Sequence, residues 1–415
     1  MKLRFGSLCC AHAALALSCG AASDGTSALA PGTPTDAAAP MGSDASTDAS
    51  TDASPMLQQD AMRSTADAGV DAAPPHRTRT LIYVGAADSK IHVLSLDRST
   101  AALTPVAAYA AGNFPSFLAF DVPRRRVFAT NENAGAVAAF TLDPTSGALS
   151  PNGTVSAGSG TTHISLDATG SFLFAANYGG ASAAVLPVRA DGSLGAATQT
   201  LTTGANPHCM IASPSNAFAF LVVKGADTIA QYAFDATMGT LSPNAVAPVV
   251  KTAAGAGPRH LTFHPNGAFA YLIDENDSTM MAFTYDAAAG TLTNIQTLSS
   301  RAPNAVGANT GAEVQVARSG SFVYASNRGD DDVVTFAVDP ASGKLAFASS
   351  VATGGNTPRH FSLDEADGLA LVANQGSGNV VAFRVDGKTG VLTKATDTPI
   401  GAAPYFVEGI ALPAP

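Results

Sequence analysis

The chain has 415 residues, of which 46% are hydrophobic and 13% are charged, and its formal net charge is -10. This apolar content is enough for a large core. The acidic balance argues against a nucleic-acid-binding surface, which needs a clustered basic patch. After the N-terminal segment, no stretch reaches the roughly 18 uninterrupted apolar residues of a membrane span.

The first 19 residues have the features of an export signal. Lys2 and Arg4 precede an apolar run from Leu8 to Leu17, which leads into the small-residue sequence Ala16-Leu17-Ser18-Cys19. That tetrad resembles a bacterial lipobox, in which the Cys becomes the lipidated first residue. The Ala and Leu of this tetrad depart from the usual lipobox pattern, so secretion without lipidation is an alternative. We therefore expect a signal peptide over 1–19 and an exported protein, either anchored through a lipid on Cys19 or secreted.

Residues 20–79 are a low-complexity run of Ala, Asp, Ser, Thr and Pro. Such a run cannot bury enough apolar surface to offset its chain entropy, so we predict a disordered linker. Of the four cysteines, only Cys209 lies in the remaining region, 80–415. A single cysteine excludes an internal disulfide there, and we expect Cys209 to be a small buried apolar residue rather than a nucleophile.

A turn of polar residue, small residues and then Leu recurs from Thr80 onward. Its leucines are Leu103, Leu149, Leu194, Leu241, Leu292, Leu345 and Leu392, which are 46, 45, 47, 51, 53 and 47 residues apart. A period in this range, built from short strands, is typical of propeller blades. In one unit, alternation and turn residues predict strands over 260–264, 268–273, 279–285 and 291–298. We predict an all-β, seven-bladed β-propeller with four antiparallel strands per blade.

The two ends of this region complement each other. Residues 80–84 begin in mid-blade, at a second-strand position, whereas 405–412 form a final first strand. We therefore predict that the N- and C-terminal strands share one blade and close the ring, which removes edges that would otherwise template aggregation.

The topology of a blade predicts which residues meet. The starts of first strands and the ends of second strands lie on one face, around one mouth of the channel. The first-strand starts supply His163, His208, Arg259, His260, Glu313, Arg359 and Tyr405, and the second-strand ends supply Glu132, Lys224, Glu275 and Arg328. We expect the Asn residues at these ends (Asn131, Asn177, Asn327 and Asn374) to be structural, and His264, at the far end of its strand, likewise. For His163 and His260 a buried structural role is an equal alternative. Arg259, Glu275 and Arg328 point to a functional site, because a charge facing a channel is costly unless it is paired or used.

Five motifs carry a resemblance to a known family over about 80–415. They are Gly255–His260, Tyr324–Gly329, Gly354–Arg359, Val372–Gln375 and Ala175–Gly179. Together they resemble the seven-bladed propeller lactonases, which include propeller-type 6-phosphogluconolactonases and fungal carboxy-cis,cis-muconate cyclases. The resemblance implies a catalytic set of His208, Arg259, Glu275 and Arg328. The sequence departs from the family at Val223–Asp227, where the family usually has Asp-Leu-Gly-x-Asp, and this leaves the substrate open.

The same residue types suit lactone hydrolysis. Arg259 and Arg328 can hold an anionic group and the developing oxyanion, and Glu275 or His208 can act as general base. We expect a monomer that hydrolyses a small sugar-acid lactone without metal or organic cofactor, with His163, His260, Glu313 and Arg359 contacting substrate. The resemblance implies a 6-phosphogluconolactonase-like activity. Because the phosphorylated pentose-pathway lactone is a cytoplasmic metabolite and we expect export, a lactonase for an unphosphorylated sugar lactone is the second candidate.

Three alternatives stay open at this point. A muconate-cyclase-like lactonising enzyme would use similar residues in reverse. A non-catalytic surface propeller would bind a protein or a glycan, since the fold alone does not determine function. A metal-dependent lactonase would need carboxylates such as Glu132, Glu275 and Glu313 as ligands, although no ligand spacing in the sequence requires it.

Overall fold

The structure is a computed structural model that describes residues 78–364 and 368–413. The predicted signal peptide over 1–19, the lipidation site Cys19 and the predicted linker up to residue 77 lie outside the described residues. The first strand begins at Thr78, two residues before the predicted domain boundary.

The described residues form seven antiparallel sheets, numbered here as blades 1 to 7. Blade 1 contains β29 (Pro404–Pro413), β1 (Thr78–Ala86), β2 (Lys90–Asp97) and β3 (Ala102–Ala110); blade 2 contains β4 (Leu118–Asp121), β5 (Arg126–Asn131), β6 (Ala136–Leu142) and β7 (Leu149–Ser156); blade 3 contains β8 (Thr161–Leu166), β9 (Phe172–Asn177), β10 (Ser182–Pro187) and β11 (Gln199–Thr202). Blade 4 contains β12 (Pro207–Ala212), β13 (Phe218–Val223), β14 (Thr228–Asp235), β15 (Thr240–Pro243) and β16 (Val249–Lys251). Blade 5 contains β17 (Pro258–Phe263), β18 (Phe269–Asp274), β19 (Thr279–Asp286) and β20 (Thr291–Ser299); blade 6 contains β21 (Thr310–Val316), β22 (Phe322–Arg328), β23 (Asp332–Val338) and β24 (Leu345–Ala352); blade 7 contains β25 (Pro358–Asp364), β26 (Leu369–Asn374), β27 (Asn379–Val385) and β28 (Leu392–Pro399). Four short 3₁₀ turns occur at Val122–Arg124, Glu132–Ala134, Tyr178–Gly180 and Lys224–Ala226.

The predicted seven-bladed propeller with four strands per blade is confirmed, and the strands predicted for 260–298 match β17 to β20 within about two residues. Blade 4 differs in one detail. Its outer strand is broken into β15 and β16, which both pair with β14. The Gln231 side chain fills the break: its Nε2 donates to the Ala247 carbonyl at 2.6 Å, and its Oε1 accepts from the Leu292 amide of blade 5 at 2.7 Å.

Burial is greatest in the second strands and least in the outermost strands. The second strands β9 and β18 are buried along their whole length, because both of their faces pack against neighbouring blades. The outer strand β24 is mostly exposed. First strands of neighbouring blades contact one another around the central channel. The apolar core is therefore a ring of blade-to-blade layers rather than one central cluster.

The recurrent turn found in the sequence joins blades. In blade 2, Asp143 Oδ1 accepts from the Thr145 and Ser146 amides at 2.7 and 3.0 Å, and Gly147 follows with φ +76°. The carbonyl of Gly147 accepts from the Tyr83 hydroxyl of blade 1 at 2.8 Å. A Cβ at Gly147 would lie 2.1 Å from the Leu81 side chain, so both conformation and space require glycine.

Ring closure occurs as predicted. β29 pairs antiparallel with β1 from Thr78↔Pro413 to Ala86↔Pro404, which makes β29 the inner strand of blade 1. Over 78–364 and 368–413, no helix is long and apolar enough to cross a membrane.

Candidate active site

One mouth of the channel carries a polar cavity of about 220 Å³. It is lined by Glu132, Thr162, Tyr178, His208, Glu275, Arg328 and Arg359. These residues lie at the starts of first strands or directly after the ends of second strands, where the blade topology predicts convergence. We call this cavity the mouth site.

A β-bulge near the start of the first strands decides which side chains reach the mouth. In β12 the pairing moves from Pro207↔Val223 to Cys209↔Val222, so His208 has no partner opposite it. The same shift leaves Arg259 unpaired in β17 and Arg359 unpaired in β25. A bulge turns two successive side chains toward the same face. The bulged residue therefore lies at the mouth, and the next residue lies deeper in the channel.

Glu275 is the centre of the charge network at the mouth. Lys224 Nζ donates to Glu275 Oε1 at 2.8 Å, while Arg259 Nε and Arg328 Nη2 each lie 3.3 Å from Oε2. Two backbone carbonyls fix the guanidinium groups: Arg259 Nη1 donates to Ala312 at 2.5 Å, and Arg328 Nη2 donates to Gly311 at 3.0 Å. One carboxylate thus holds three cations at the rim.

The protonation states at this network follow from its charges. Burial alone would raise the pKa of Glu275, but Arg259, Arg328 and Lys224 outweigh it and lower that pKa to about 2. Burial and the nearby Arg328 and Arg359 lower the pKa of Arg259 to about 9, so this guanidinium is still protonated at neutral pH. A carboxylate with so low a pKa is a weak proton acceptor, which argues against Glu275 as general base.

His208 is a buried titratable group at the mouth. It is 4% exposed, its Nδ1 is buried without a hydrogen-bond partner, and its ring lies 5.8 Å from that of Tyr178 between centroids. Burial and the positive charge of Arg259 lower the pKa of His208 well below its usual value. The imidazole is therefore neutral at neutral pH and retains a lone pair for accepting a proton.

Arg359 of blade 7 adds a further cation to the mouth. Its guanidinium lies 5.1 Å from the ring centroid of Tyr405, and the Tyr405 hydroxyl accepts from Gln375 Nε2 at 3.2 Å. Glu132 accepts a hydrogen bond from Ser116 and is a counter-charge for Arg359. The rim thus carries four cations (Lys224, Arg259, Arg328 and Arg359) and two carboxylates (Glu132 and Glu275), and this positive excess attracts anions to a chain that is acidic as a whole.

The predicted site residues divide into two layers. His208, Arg259, Glu275, Arg328 and Arg359 come together at the mouth. His163, His260 and Glu313 line a deeper channel cavity of about 440 Å³ instead, together with Cys209 and His360. These three were predicted to contact substrate at the mouth, and the bulge places them one layer below it.

Cys209 in the channel and His264 outside it are both buried. Cys209 is 1% exposed and burial raises its pKa to about 12, as expected for an apolar structural cysteine. His264 uses both ring nitrogens structurally, at 2.9 Å from the Gly320 carbonyl and 3.1 Å from the Asn266 amide. Within 78–364 and 368–413, no group of three or more His, Cys, Asp or Glu side chains is arranged to hold a metal ion.

The Asn residues at the second-strand ends are structural. Asn177 Nδ2 donates to the Ala157 carbonyl at 2.7 Å, and Asn327 Nδ2 donates to the Ser300 carbonyl at 2.9 Å. Both carbonyls belong to the loop that leads into the blade of the Asn. Blade 5 has Asp274 at this position. Its Oδ2 accepts from Thr279 at 2.9 Å, its Oδ1 is buried without a partner, and burial raises its pKa to about 7.

Replacing Asp274 by Asn should therefore stabilise the protein in a pH-dependent manner. Since the folded-state pKa of about 7 exceeds the unfolded value of 3.8, the wild type loses stability as pH rises between these values and stays at the lower level above them. Asp274→Asn should gain about 1 kcal/mol or more above pH 7 and less near pH 4. Calorimetric unfolding across pH measures this gain. The matched control Asn177→Asp should show the opposite pH trend, and a pH-independent effect of both variants would contradict the assignment.

The catalytic and substrate-contacting set predicted from the sequence does not include Thr162, Tyr178 or Glu132, although all three line the mouth. A signal for them existed, because Tyr178 and Glu132 directly follow a second strand, as Glu275 does. Lys224 directly follows the second strand of blade 4. Its hydrogen bond to Glu275 could not be predicted from the sequence.

Comparison with known proteins agrees with this geometry. A family model described as "Lactonase, 7-bladed beta-propeller" matches residues 81–408. The chain is 32% identical over 180 residues to a 6-phosphogluconolactonase of Bacillus subtilis (41% of this chain, 50% of the relative). It is 36% identical over 144 residues to a 6-phosphogluconolactonase of Pectobacterium carotovorum (35% of this chain, 43% of the relative). The matches thus span about half the length of these relatives.

A solved structure is similar over the whole propeller. The periplasmic gluconolactonase PpgL of Pseudomonas aeruginosa superposes with a TM-score of 0.75 at 30% identity, covering 81% of this chain and 100% of that one. With a family model that spans most of the chain and a structural match at every blade, the chain belongs to the seven-bladed β-propeller lactonase family.

Proposed function

We propose that the protein hydrolyses a sugar-acid lactone at the mouth site. The observation that carries this proposal is the meeting of a neutral, buried imidazole with several fixed cations in one small polar cavity. Ester hydrolysis requires a base for water and positive charge for the oxyanion, and residues gathered at the mouth can supply both.

The proposed reaction proceeds in two steps. His208 takes a proton from water as the water oxygen bonds to the lactone carbonyl carbon, and the carbonyl oxygen becomes an oxyanion stabilised by Arg259 and Arg328. The oxyanion then collapses, the bond between that carbon and the ring oxygen breaks, and His208 returns its proton to the leaving oxygen. The product is the open hydroxy acid. Glu275 stays ionised and holds the three cations in place.

The substrate class follows from charge and from the named relatives. The excess of cations over carboxylates suits an anionic group on the substrate, and the Bacillus and Pectobacterium relatives are named for a phosphorylated lactone. The Pseudomonas neighbour is named a periplasmic gluconolactonase, which supports export and an unphosphorylated lactone. Val223 stands where the family usually has an acid, and Lys224, the next residue, adds positive charge at the rim.

The remaining parts of the proposal concern the cellular setting. We place the protein outside the cytoplasm, attached through a lipid on Cys19 or secreted, and acting as a monomer without metal or organic cofactor. The mass of the mature N-terminal peptide distinguishes the lipidated from the secreted form.

A pH-stat assay against a panel of lactones tests the function. With gluconolactone and 6-phosphogluconolactone in the panel, the wild type should release acid well above the spontaneous rate from at least one. His208→Asn should lower kcat by about 10²- to 10⁴-fold, because it removes the proton acceptor. His92→Asn, which alters a histidine paired with Asp88 elsewhere, is the control and should keep full activity. Acid release from none of the lactones would favour a binding role for the propeller.

A further inference from the structure

Two imidazole nitrogens in the channel are buried without a hydrogen-bond partner, and they belong to neighbouring rings. They are Nδ1 of His208 at the mouth and Nε2 of His260 in the layer below. The two side chains are 4% and 5% exposed, and their ring centroids lie 5.0 Å apart. An unsatisfied buried polar atom is costly, and two of them side by side call for a common explanation.

Glu313 fixes the proton on His260. Its Oε2 lies 2.8 Å from His260 Nδ1, while its Oε1 accepts from the Val314 amide at 3.1 Å. His360 Nδ1 accepts from the Val407 amide at 3.3 Å, so the proton of neutral His360 is on Nε2, which lies 3.5 Å from Glu313 Oε2. Both Glu313 oxygens thus face N–H donors.

Burial raises the pKa of Glu313, whereas His360, Arg259 and the Val314 amide favour its charged form. A carboxylate that only accepts satisfies all of these contacts at once. His260 then donates from Nδ1, and its buried Nε2 is a bare acceptor. The other buried imidazole near it, His163, is already engaged at both nitrogens, by the Met210 amide and by Cys209.

We propose that Glu313 and His260 form a buried relay that orients His208: Glu313 accepts from His260 Nδ1–H, and His260 Nε2 accepts from His208 Nδ1–H through one bridging water. This arrangement fixes the His208 tautomer so that its Nε2 presents a lone pair to the mouth. Glu313 and His260 are thus positioning residues, whereas His208 touches the reacting water. The relay rests on the proposed lactonase function and explains why two histidines and a glutamate are buried beneath the site.

The relay also affects the basicity of His208. A neutral His260 that accepts from Nδ1–H stabilises the charged imidazole that forms when water is deprotonated. Burial and positive charge on Arg259, His260, Arg359 or His163 act in the opposite direction and lower the pKa of His208. Loss of the relay should lower kcat by about 10- to 100-fold with little change in KM, and should move the acid limb of the pH profile to lower pH.

The first test reads the tautomers directly. In the protein labelled with ¹⁵N-histidine, the ring shifts should show His208 and His260 each protonated at Nδ1. His260→Phe should convert part of the His208 population to the Nε2–H form, and Glu313→Gln should change the His260 signals. An Nε2–H tautomer of either histidine in the wild type, or His208 signals unchanged in both variants, would overturn the relay.

The second test separates the relay from the lactonase assignment. His264→Phe is the matched control, because it removes a buried histidine outside the channel and should leave kcat unchanged. Retained kcat and retained pH profile in both relay variants would contradict the relay while leaving the hydrolase intact. If the wild type hydrolyses no lactone, the proposed function fails, and the ring shifts still decide whether the relay exists.

Discussion

Replacing Arg259 by Ala should lower kcat/KM for the accepted lactone by about 10²- to 10³-fold, the effect expected from loss of one fixed donor to an oxyanion. Arg259 is 2% exposed, is anchored to the Ala312 carbonyl, and faces Glu275 Oε2 at 3.3 Å. Its position is therefore set before substrate arrives. An alanine leaves neither the charge nor the donor, and Lys224 and Arg328 can fill the space only by leaving Glu275.

The companion variant Glu275→Gln should be similarly inactive for a different reason. It removes the shared counter-charge of Lys224, Arg259 and Arg328, so the three cations repel one another and lose their orientation. If Glu275 positions cations and does not take a proton, the residual activity of Glu275→Gln should keep the wild-type pH profile. Near-wild-type rates for both Arg259→Ala and Glu275→Gln would disprove the site assignment.

Controls separate chemistry from folding in this experiment. Arg259→Lys keeps the charge but not the planar fork and should recover only part of the activity. Arg126→Ala removes an arginine that bridges to the Gly170 and Ala190 carbonyls, away from the mouth site. That variant should lose stability and keep kcat. Thermal unfolding of each variant confirms that the measured rates belong to folded protein.

The fold can be predicted from the sequence more completely than the site, and the reason is physical. Seven leucine-containing turns repeat because most blades reuse a similar turn to join their neighbours, as Asp143 and Gly147 do. The mouth residues Glu275 and Arg328 follow from blade topology alone. The depth of His260 in the channel does not follow from topology. Simple strand alternation would place Arg259 and His260 on opposite faces, whereas the bulge at Arg259 turns both side chains inward.

The chemical role of Glu275 could not be predicted either. A glutamate at a channel mouth can be a base or a counter-charge, and the choice depends on distances to its cations. Three cations within 3.3 Å hold the pKa of Glu275 at about 2, which favours the role of counter-charge at neutral pH. Lys224 supplies the closest of these contacts, and it occupies the position where the sequence departs from its family.

Deleting residues 404–415 should abolish the cooperative unfolding transition of the propeller. β29 supplies the inner strand of blade 1, and it buries Phe406, Val407 and Leu412 to within a few per cent of full burial. Each of these side chains contributes about 1.5–3 kcal/mol by burial, so their joint loss approaches the whole stability of a typical domain. The deletion also exposes the edge of β1, which promotes aggregation.

A circular permutant provides the matched control for this deletion. Because Pro413 lies opposite Thr78 in the β29–β1 pair, a short hairpin loop can join the end of β29 to the start of β1. A chain that begins at β29 and ends after β28 keeps every strand pair and should unfold cooperatively, as the wild type does. Differential scanning calorimetry compares the three proteins. A deletion variant that keeps the full transition would mean that the other six blades hold the ring without its closing strand, and the stability of the fold would then reside in blade-to-blade packing rather than in closure.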